Sequence, residues 1–339
     1  MVSPKLLTRK IGTDDVTAIG FGLMGLSIFY GQTPMSDEER FKVLDAAVEM
    51  GCTNWDTSDV YGDNEDLIGR WFKYSGKRDQ IFLATKFGGT PTGFNNKPEY
   101  IKTAISRSLE RLGVDTVDLY YVHRVDKVVP IEITIRTLAE LVKEGKIRYI
   151  GLSEVSSATI RRAHAVHPIA AVQVEYSPFF LDIEDEKIGV LKTCRELGIA
   201  VVAYSPNGRG MLAGKFKSFD DIPEGDSRKL TPRFGPANFP NIMKIVNGFE
   251  ELGAKLNATP AQVCLAWLLA QGDDIIPIPG TKQIKYLQEN LGALDIKLSD
   301  EEVKEVREIV DKADANHGDR YHIPILMDFC FADTPELVE

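Results

Sequence analysis

The sequence alternates short apolar segments with segments of helical periodicity, and it does so eight times. The apolar segments are rich in Val, Ile and Tyr, as buried strands are. They begin at Val16, Cys52, Ile81, Val117, Ile147, Ala170, Ala200 and Ile275. Strands that alternate with helices form a parallel sheet, because each helix returns the chain to the same end of the sheet. Eight such units fit a closed barrel, so we predict an α/β fold of the (β/α)8 TIM-barrel type.

Three helix starts carry recognisable capping residues. Ser36 with Glu39, and Ser299 with Glu302, match the capping-box pattern. Thr259 stands before a proline, which is the preferred residue at the first position of a helix. We expect the first of these helices to run to about residue 50 and the last to end near residue 313.

The length of 339 residues leaves the number of domains open, but the barrel pattern runs through most of the chain. We predict one domain over 1–339, with the barrel core over about 16–292 and an extra helix and C-terminal tail over 293–339. Two long segments break the alternation, one at 207–240 after the seventh strand and one at 317–339. The first is expected to lie over the face of the barrel that the strand ends form.

Charge and cysteine content exclude several classes of function. The chain has 40 Lys and Arg against 50 Asp and Glu, a net charge of −10, which argues against nucleic acid and membrane partners. The four cysteines are far apart without a C-x-x-C pair, so neither a cysteine metal site nor a disulfide framework is expected. The sequence has neither a signal-peptide core nor a long uncharged apolar run, and we expect a cytoplasmic protein.

Gly20, Gly22 and Gly25 form a G-x-G-x-x-G sequence after the first predicted strand. A dinucleotide-binding Rossmann motif needs a helix that opens at the third glycine and an acidic residue about twenty residues further on. Neither follows here, since glycine and proline residues precede the helix cap at Ser36. We therefore favour glycines that let a loop turn sharply at the end of a barrel.

Four titratable residues stand at or just after the ends of three successive predicted strands. Asp56 ends the second strand, and Tyr61 follows in its loop. Lys86 ends the third strand and His123 the fourth. Each residue alone has an ordinary structural explanation, such as helix capping or packing at the rim. Because the carboxyl ends of all barrel strands meet at one face, the four are expected to converge there.

The chemistry expected of this group is proton donation to an oxygen. A tyrosine hydroxyl has a pKa of about 10, and a nearby ammonium group lowers that pKa by favouring the phenolate. Lys86 would supply this charge to Tyr61, and Asp56 would offset the cost of burying Lys86. His123 would donate a hydrogen bond to a substrate oxygen or relay the proton. Such a site protonates a carbonyl oxygen as hydride reaches its carbon.

The segments that contain these residues resemble the catalytic segments of the aldo-keto reductase superfamily. They are NWDTSDVYG at 54–62, ATKFG at 84–88 and YVH at 121–123. Further similar segments follow in order along almost the whole chain, at 151–153, 172–177, 203–206 and 278–282. The segment 22–27 is most similar to the microbial and plant aldehyde reductases that include pyridoxal-reductase-like proteins. The resemblance implies an NADP-dependent enzyme that reduces an aldehyde or ketone to the alcohol, or catalyses the reverse oxidation.

The resemblance also implies roles for individual residues. Tyr61 would be the general acid, assisted by Asp56, Lys86 and His123. Ser153 and Gln173 would hold the nicotinamide carboxamide, and Tyr204 would stack on the ring. The other cofactor-binding residues implied are Met24 and Gly280; Ser205, Pro206, Asn207, Gly208 and Gly210 along the pyrophosphate; Thr281 and Lys282 at the 2′-phosphate; and Gln288, Glu289 and Asn290 around the adenine.

Two positions depart from the family pattern. Glu154 stands where many relatives have asparagine beside the carboxamide, and Tyr286 where many have arginine near the adenine. The preference for NADP over NAD therefore rests mainly on Lys282. The substrate is expected to be a carbonyl compound of moderate size in a largely apolar pocket. The candidate pocket residues are Ile28, Phe29, Trp55, the segment 87–100, Arg124, part of 207–240, Tyr321, Phe329 and Phe331.

Two alternatives of other classes stay open, as does the oligomeric state. One is a nucleotide-binding regulatory subunit of the same fold with little turnover. Only about fifteen residues precede the first predicted strand, so we expect no effector segment there. The other is a barrel hydrolase or lyase that uses Asp56, Glu175 and His123 with a metal. Against it, the five histidines lack metal-site spacing, and Lys86 would place a positive charge where the cation should lie.

Overall fold

Eight parallel strands lie side by side in the computed structural model, which describes residues 6–28 and 35–338. The strands in these ranges are β1 (Thr8–Ile11), β2 (Asp14–Thr17), β3 (Phe21–Gly22), β4 (Asn54–Asp56), β5 (Phe82–Phe87), β6 (Gly89–Thr90), β7 (Gly93–Phe94), β8 (Val117–Val122), β9 (Ile147–Ser153), β10 (Ile169–Glu175), β11 (Ala200–Tyr204) and β12 (Ile275–Pro277). The large sheet has the order β3, β4, β5, β8, β9, β10, β11, β12, and every neighbouring pair in it is parallel.

The first and last strands of this sheet meet and close the barrel. The amide of Gly20 donates to the carbonyl of Pro277 at 2.9 Å, and that of Gly22 to the carbonyl of Pro279 at 3.2 Å. Gly22 also pairs with Gly280 in a parallel bridge. A Cβ atom on Gly22 would lie 2.8 Å from the carbonyl oxygen of Ile278, closer than side chains tolerate. The predicted barrel is confirmed, and this glycine serves the seam between strands rather than a sharp turn.

The helices begin and end close to the positions that the capping residues predict. Ser36 and Ser299 form capping boxes with Glu39 and Glu302, and Thr259 caps its helix through the amide of Gln262. Within the described ranges, no helix combines the length and apolar character that crossing a bilayer requires. The helices are α1 (Asp37–Glu49), α2 (Asn64–Ser75), α3 (Pro98–Leu112), α4 (Ile131–Lys143), α5 (Ser157–Val166), α6 (Val190–Leu197), α7 (Phe239–Leu256), α8 (Pro260–Ala270), α9 (Ile284–Gly292), α10 (Asp300–Ala313) and α11 (Pro324–Met327).

A hairpin of β1 and β2 precedes the barrel. Its residues Ile11 and Val16 are buried in one cluster with Leu119 and Ile276 from barrel strands, so the hairpin covers one end of the barrel interior. The predicted first strand, which began at Val16, was therefore wrong in its extent. Its first residues pair with β1, and the barrel strand itself is β3. The two-residue Gly-Thr connection between β1 and β2 is the sequence signal for this hairpin.

Two long segments lie at the opposite end of the barrel. The carboxyl ends of the strands and the loops that follow them form this end, which we call the mouth. After β11 the chain runs through short 3-10 turns at Gly208–Ala213, Phe219–Asp221, Ser227–Leu230 and Pro232–Phe234 before α7 begins. The C-terminal segment lies back against the end of β9, where the amide of Ser156 donates to the carbonyl of Ala332 at 3.0 Å. Arg162 of α5 fixes the same segment by donating to the carbonyl of Thr334 at 2.9 Å.

Candidate active site

The four titratable residues predicted from the strand ends lie together at the mouth. Asp56 is the last residue of β4, Lys86 lies in β5, and His123 follows β8. The Lys86 ammonium donates to Asp56 Oδ1 at 2.5 Å and to the carbonyl of Thr57 at 2.7 Å. Tyr61, in the loop after β4, has its hydroxyl 3.4 Å from the same ammonium. The barrel register thus places the ammonium group of Lys86 beside a phenol and a carboxylate.

The Lys86–Asp56 pair is buried, and both side chains form hydrogen bonds to further groups of the protein. The side chain of Lys86 is fully buried, and Asp56 Oδ2 accepts from the amide of Gln173 at 2.7 Å. Burial by itself would lower the pKa of Lys86, but the charge of Asp56, with a smaller contribution from the adjacent Tyr61, raises it above its ordinary value. Lys86 therefore stays charged at neutral pH and holds a positive charge next to Tyr61.

The pKa of Tyr61 lies above its ordinary value, which differs from the expectation. Burial raises the pKa of Tyr61 most, while Lys86 lowers it and Asp56 raises it again. The effect of the ammonium thus has the expected sign, but burial is larger. The hydroxyl keeps its proton at neutral pH, and the ammonium lies 4.8 Å from the ring centre.

His123 is a neutral group beside this tyrosine. Burial lowers the pKa of His123 well below its usual range, and the charges of Arg124 and Lys86 lower it further. Its Nδ1 lies 3.2 Å from the hydroxyl of Ser58, and its ring meets the Tyr61 ring edge-on with centres 5.9 Å apart. A neutral imidazole can donate one hydrogen bond into the cleft without adding a charge there.

Most of the predicted cofactor-binding residues share one cleft of about 790 Å³ at the mouth with this group. Lys86 lies behind Asp56 and does not reach the cleft surface. Gly208 is buried within the loop after β11, and Gln288 is exposed on α9; neither lines the cleft. The predicted residues that line it are Met24, Asp56, Tyr61, His123, Ser153, Gln173, Tyr204, Ser205, Pro206, Asn207, Gly210, Gly280, Thr281, Lys282, Glu289 and Asn290.

The loop after β11 has an unusual backbone that suits an anion. Ser205, Gly208, Arg209 and Gly210 all have φ between 53° and 84°, in the left-handed region. Turns of this kind make concave backbone surfaces that can bind phosphate groups, although the amides of Gly208 and Gly210 donate within the loop, to the carbonyls of Ser205 and Asn207. Asn207, between them, has a buried side-chain oxygen without a hydrogen-bond partner among the described residues, and this acceptor suits a hydroxyl or N–H donor of a ligand. The loop is therefore shaped for a polar ligand that the chain itself does not supply.

Three cationic side chains lie near one another along this part of the cleft. Lys215, Arg228 and Lys282 all line it. The pKa of Lys282 is lowered, first by partial burial and then by the charges of Lys215 and Arg228. Arg228 is held in place by two hydrogen bonds to Asp226, at 2.9 and 2.6 Å. The sequence analysis named Lys282 alone, because the long loop that carries the other two gives no periodicity from which to place them.

Glu154, which was expected to depart from the family pattern, takes part in a buried ion network. Arg320, from the C-terminal segment, donates to its two carboxylate oxygens at 2.8 and 3.0 Å. Both side chains are almost fully buried, and Glu154 has a φ of 54°. Although burial raises the pKa of Glu154, the charges of Arg320 and Arg124 outweigh it and lower the pKa to about 2. Glu154 thus stays ionised.

The network extends to Glu175 and Tyr204. Arg320 Nε donates to Glu175 at 2.9 Å, and its Nη2 donates to the Tyr204 hydroxyl at 2.8 Å. Tyr204 in turn donates to Glu154 at 2.9 Å, and its hydroxyl lies 3.0 Å from that of Tyr321. Arg320 was missed by the sequence analysis. Its partners lie far away in the chain, and a single arginine in an irregular tail gives no local signal.

Several candidate pocket residues lie elsewhere. Trp55 is fully buried and packs on Trp71 of α2 with ring centres 4.9 Å apart, because neighbouring strand residues face opposite sides and Asp56 faces the interior. Neither Ile28, Phe329 nor Phe331 lines the cleft, and Phe29 lies outside the described residues. The pocket residues that do line it are Phe94, Arg124, Tyr321, and parts of the segment after β11.

Comparison with known proteins assigns a family. Residues 18–311 match the model of the Aldo/keto reductase family. The chain belongs to this family. It is 56% identical to aldo-keto reductase str7 of Strobilurus tenacellus, over 98% of this chain and 99% of that protein. It is 55% identical to aldo-keto reductase yakc [NADP(+)] of Schizosaccharomyces pombe, over 97% of this chain and 98% of that protein.

Solved structures of other aldo/keto reductases share the barrel. The glycerol dehydrogenase of Gluconobacter oxydans matches with a TM-score of 0.81 and 27% identity, over 92% of this chain and 97% of that one. A thermostable aldo-keto reductase in complex with the inhibitor epalrestat matches with a TM-score of 0.73 and 31% identity, over 90% of this chain and 100% of that one. These similarities agree with the closed eight-stranded sheet described above.

In this aldo/keto reductase, Arg320→Met is expected to lower the free energy of unfolding by about 3–5 kcal/mol, the usual cost of stranding a buried charge. The reason is that Glu154 loses its main partner while fully buried. Urea unfolding followed by circular dichroism measures the change. Lys255→Met is the control, because it removes an exposed ion pair with Glu305. A loss no larger than the control's would contradict this account of the network.

Asp59, in the same loop as Tyr61, is expected to make the stability of the protein depend on pH. Burial, and then the charge of Glu65, raise the pKa of Asp59 to about 7. In the unfolded chain an Asp carboxyl has a pKa of about 3.9. Between this pH and pH 7, Asp59 is therefore ionised in the unfolded state and protonated in the folded state. The folded state loses stability relative to the unfolded state as the pH rises through this range. Asp59→Asn is expected to gain stability relative to wild type from about pH 4 to about pH 7, with no further gain above. Parallel pH profiles in urea unfolding would contradict this.

Proposed function

We propose that this protein reduces an aldehyde or ketone to the alcohol with NADPH, and that Tyr61 donates the proton. The observation that carries the proposal is the position of the Tyr61 hydroxyl, 3.4 Å from the ammonium of a buried lysine and on the wall of a cleft. A protonated phenol next to a fixed positive charge can release its proton to an oxygen that becomes negative. Family membership supports the same reaction.

The cleft fits NADP on three grounds. The cluster of Lys215, Arg228 and Lys282 offers positive charge to phosphate groups. The left-handed loop after β11 offers a concave backbone, and Asn207 has an unpartnered buried oxygen. One close relative is itself named as an NADP(+) reductase. We assign Ser153, Gln173 and Tyr204 to the nicotinamide, and the loop and the cationic cluster to the phosphates, with Met24, Gly280, Thr281, Glu289 and Asn290 around them.

The proposed proton path uses residues of this chain. NADPH, when bound, supplies hydride to the carbonyl carbon. Tyr61 gives its proton to the carbonyl oxygen, and Lys86 then stabilises the phenolate that is left. Asp56 keeps Lys86 charged and in place through the 2.5 Å contact. His123, neutral because of its lowered pKa, donates a hydrogen bond to the same oxygen without competing as the acid.

A metal-dependent hydrolase or lyase receives no support from the carboxylates it would use. Asp56 is bound to Lys86, and Glu175 is bound to Arg320 and lies 3.5 Å from Arg209. Each carboxylate therefore already has a cation next to it. A divalent metal at this position would have to displace buried ion pairs, which is costly.

Tyr61→Phe is expected to lower kcat by about 100-fold or more, the usual contribution of a positioned general acid. NADPH binding, measured by fluorescence titration, should persist, because the phenyl ring keeps its place beside Lys86. Turnover is measured by NADPH absorbance with a simple aromatic aldehyde. Tyr74→Phe is the matched control, since Tyr74 is 67% exposed on α2. Full activity in Tyr61→Phe would rule out the assigned acid, and binding without turnover in wild type would favour a regulatory protein.

Lys282→Ala is expected to weaken NADPH binding by about tenfold, as the loss of one charge-assisted hydrogen bond does. Binding of NADH, which lacks the 2′-phosphate, should change little. The titrations are made at low and high salt, because the contribution of a half-exposed cation is screened. Lys285→Ala, an exposed lysine three positions away, is the control. An equal loss for both nucleotides would instead assign Lys282 to the pyrophosphate.

A further inference from the structure

Arg124 presents an unused edge of its guanidinium group to the cleft. It follows His123 and lines the cleft together with Tyr61. Its Nη1 donates to the carbonyl of His123 at 2.7 Å and to the hydroxyl of Ser153 at 3.0 Å. Nε and Nη2 donate to none of the described residues and are not closed off from solvent. These two nitrogens form the side-on edge that matches the two oxygens of a carboxylate.

Arg124 forms no ion pair with a carboxylate among the described residues. No carboxylate in the described ranges lies within 4 Å of its nitrogens. Burial lowers the pKa of Arg124, and Tyr204, Tyr321 and Glu154 together raise it above its ordinary value. The oxygens of Glu154, however, already accept from Arg320, Tyr204 and the amide of Glu175.

The ion network around Glu154 and Glu175 also carries an excess of positive charge. The positive groups of the network outnumber the negative ones by four to three: they are Arg124, Arg209, Arg233 and Arg320 against Glu154, Glu175 and Asp182. The neighbouring Lys86–Asp56 pair is neutral as a unit, and His123 is uncharged. One positive charge is thus uncompensated, and Arg124 lines the cleft with two donor nitrogens that no described residue accepts from.

We propose that Arg124 binds a carboxylate of the substrate, so that the enzyme prefers carbonyl compounds that carry a carboxylate over their neutral analogues. The inference rests on the proposed function. Apolar and aromatic side chains line the cleft as well, among them Phe94, Tyr321, Ile323 and Leu326. The carbon skeleton of the substrate would lie on this wall, between its carbonyl group at Tyr61 and its carboxylate at Arg124. Planar bidentate recognition of this kind favours arginine over lysine.

The test compares para-carboxybenzaldehyde with its neutral amide, para-formylbenzamide, at saturating NADPH. Wild type is expected to prefer the acid in kcat/KM. Arg124→Gln should lower the acid-to-amide ratio by about 10- to 100-fold, the range for a hydrogen bond to a charged group, mainly through KM of the acid. Arg124→Lys should restore part of the ratio. Arg136→Gln removes an exposed arginine of α4 and should leave the ratio as in wild type.

The ratio separates this role from a structural one. If Arg124 only held Ser153 and the backbone of His123 in place, its loss would lower activity on both aldehydes equally, and that result would overturn the proposal. Turnover of the amide with no preference for the acid in wild type would also overturn it, while the proposed function would stand.

A binding measurement keeps the test independent of turnover. Calorimetric titration of the NADP⁺-saturated protein with benzoate and with benzamide reports on the anion site alone. We expect benzoate to bind more tightly than benzamide, and Arg124→Gln to abolish that difference. If neither aldehyde is reduced, the proposed function fails, but unequal benzoate binding by wild type and variant would still support the carboxylate site. Equal binding by wild type and Arg124→Gln would refute it.

Discussion

The buried charge of Lys86 is the constraint on which the mouth of the barrel depends. An ammonium group without solvent must have a partner, and the barrel supplies one from the neighbouring strand, where Asp56 stands in register with β5. Asp56 is in turn oriented by Gln173 from β10, on the far side of the barrel. Because this pair is neutral as a unit, Lys86 keeps its charge next to Tyr61, where a lone buried lysine would lose its proton.

The sign of the charge in the cleft is opposite to that of the whole chain. The net charge is −10, yet the cleft has Lys215, Arg228 and Lys282 along one part and Arg124 along another. Surface carboxylates give a long-range field that salt screens, whereas the cations in a partly closed cleft act on a ligand at contact distance. An acidic protein can therefore hold an anionic nucleotide. The overall charge of a chain does not predict what a cleft binds.

The barrel and the group around Tyr61 were predictable from the sequence, because both follow from local pattern. Strand and helix periodicities gave the eight units, and each of Asp56, Lys86 and His123 stands at a strand end. Arg320 was not predictable, since its partners are 145 and 166 residues away in the chain. The error at Trp55 was avoidable, because strand residues alternate and Asp56 already occupied the interior position. Only the folded barrel shows that Gly22 serves the closing seam.

Glu154 influences the shape of the cleft through its ion pair with the C-terminal segment. A buried carboxylate in place of an amide needs a cation, and the chain provides Arg320 from the C-terminal segment. That ion pair fixes the segment at the mouth, since Ala332 also donates to the carbonyl of Glu154 at 3.2 Å. Tyr321 and Ile323, next to Arg320 in sequence, are thereby held on the wall of the cleft. One acidic residue after β9 thus helps to fix the position of the C-terminal wall of the cleft.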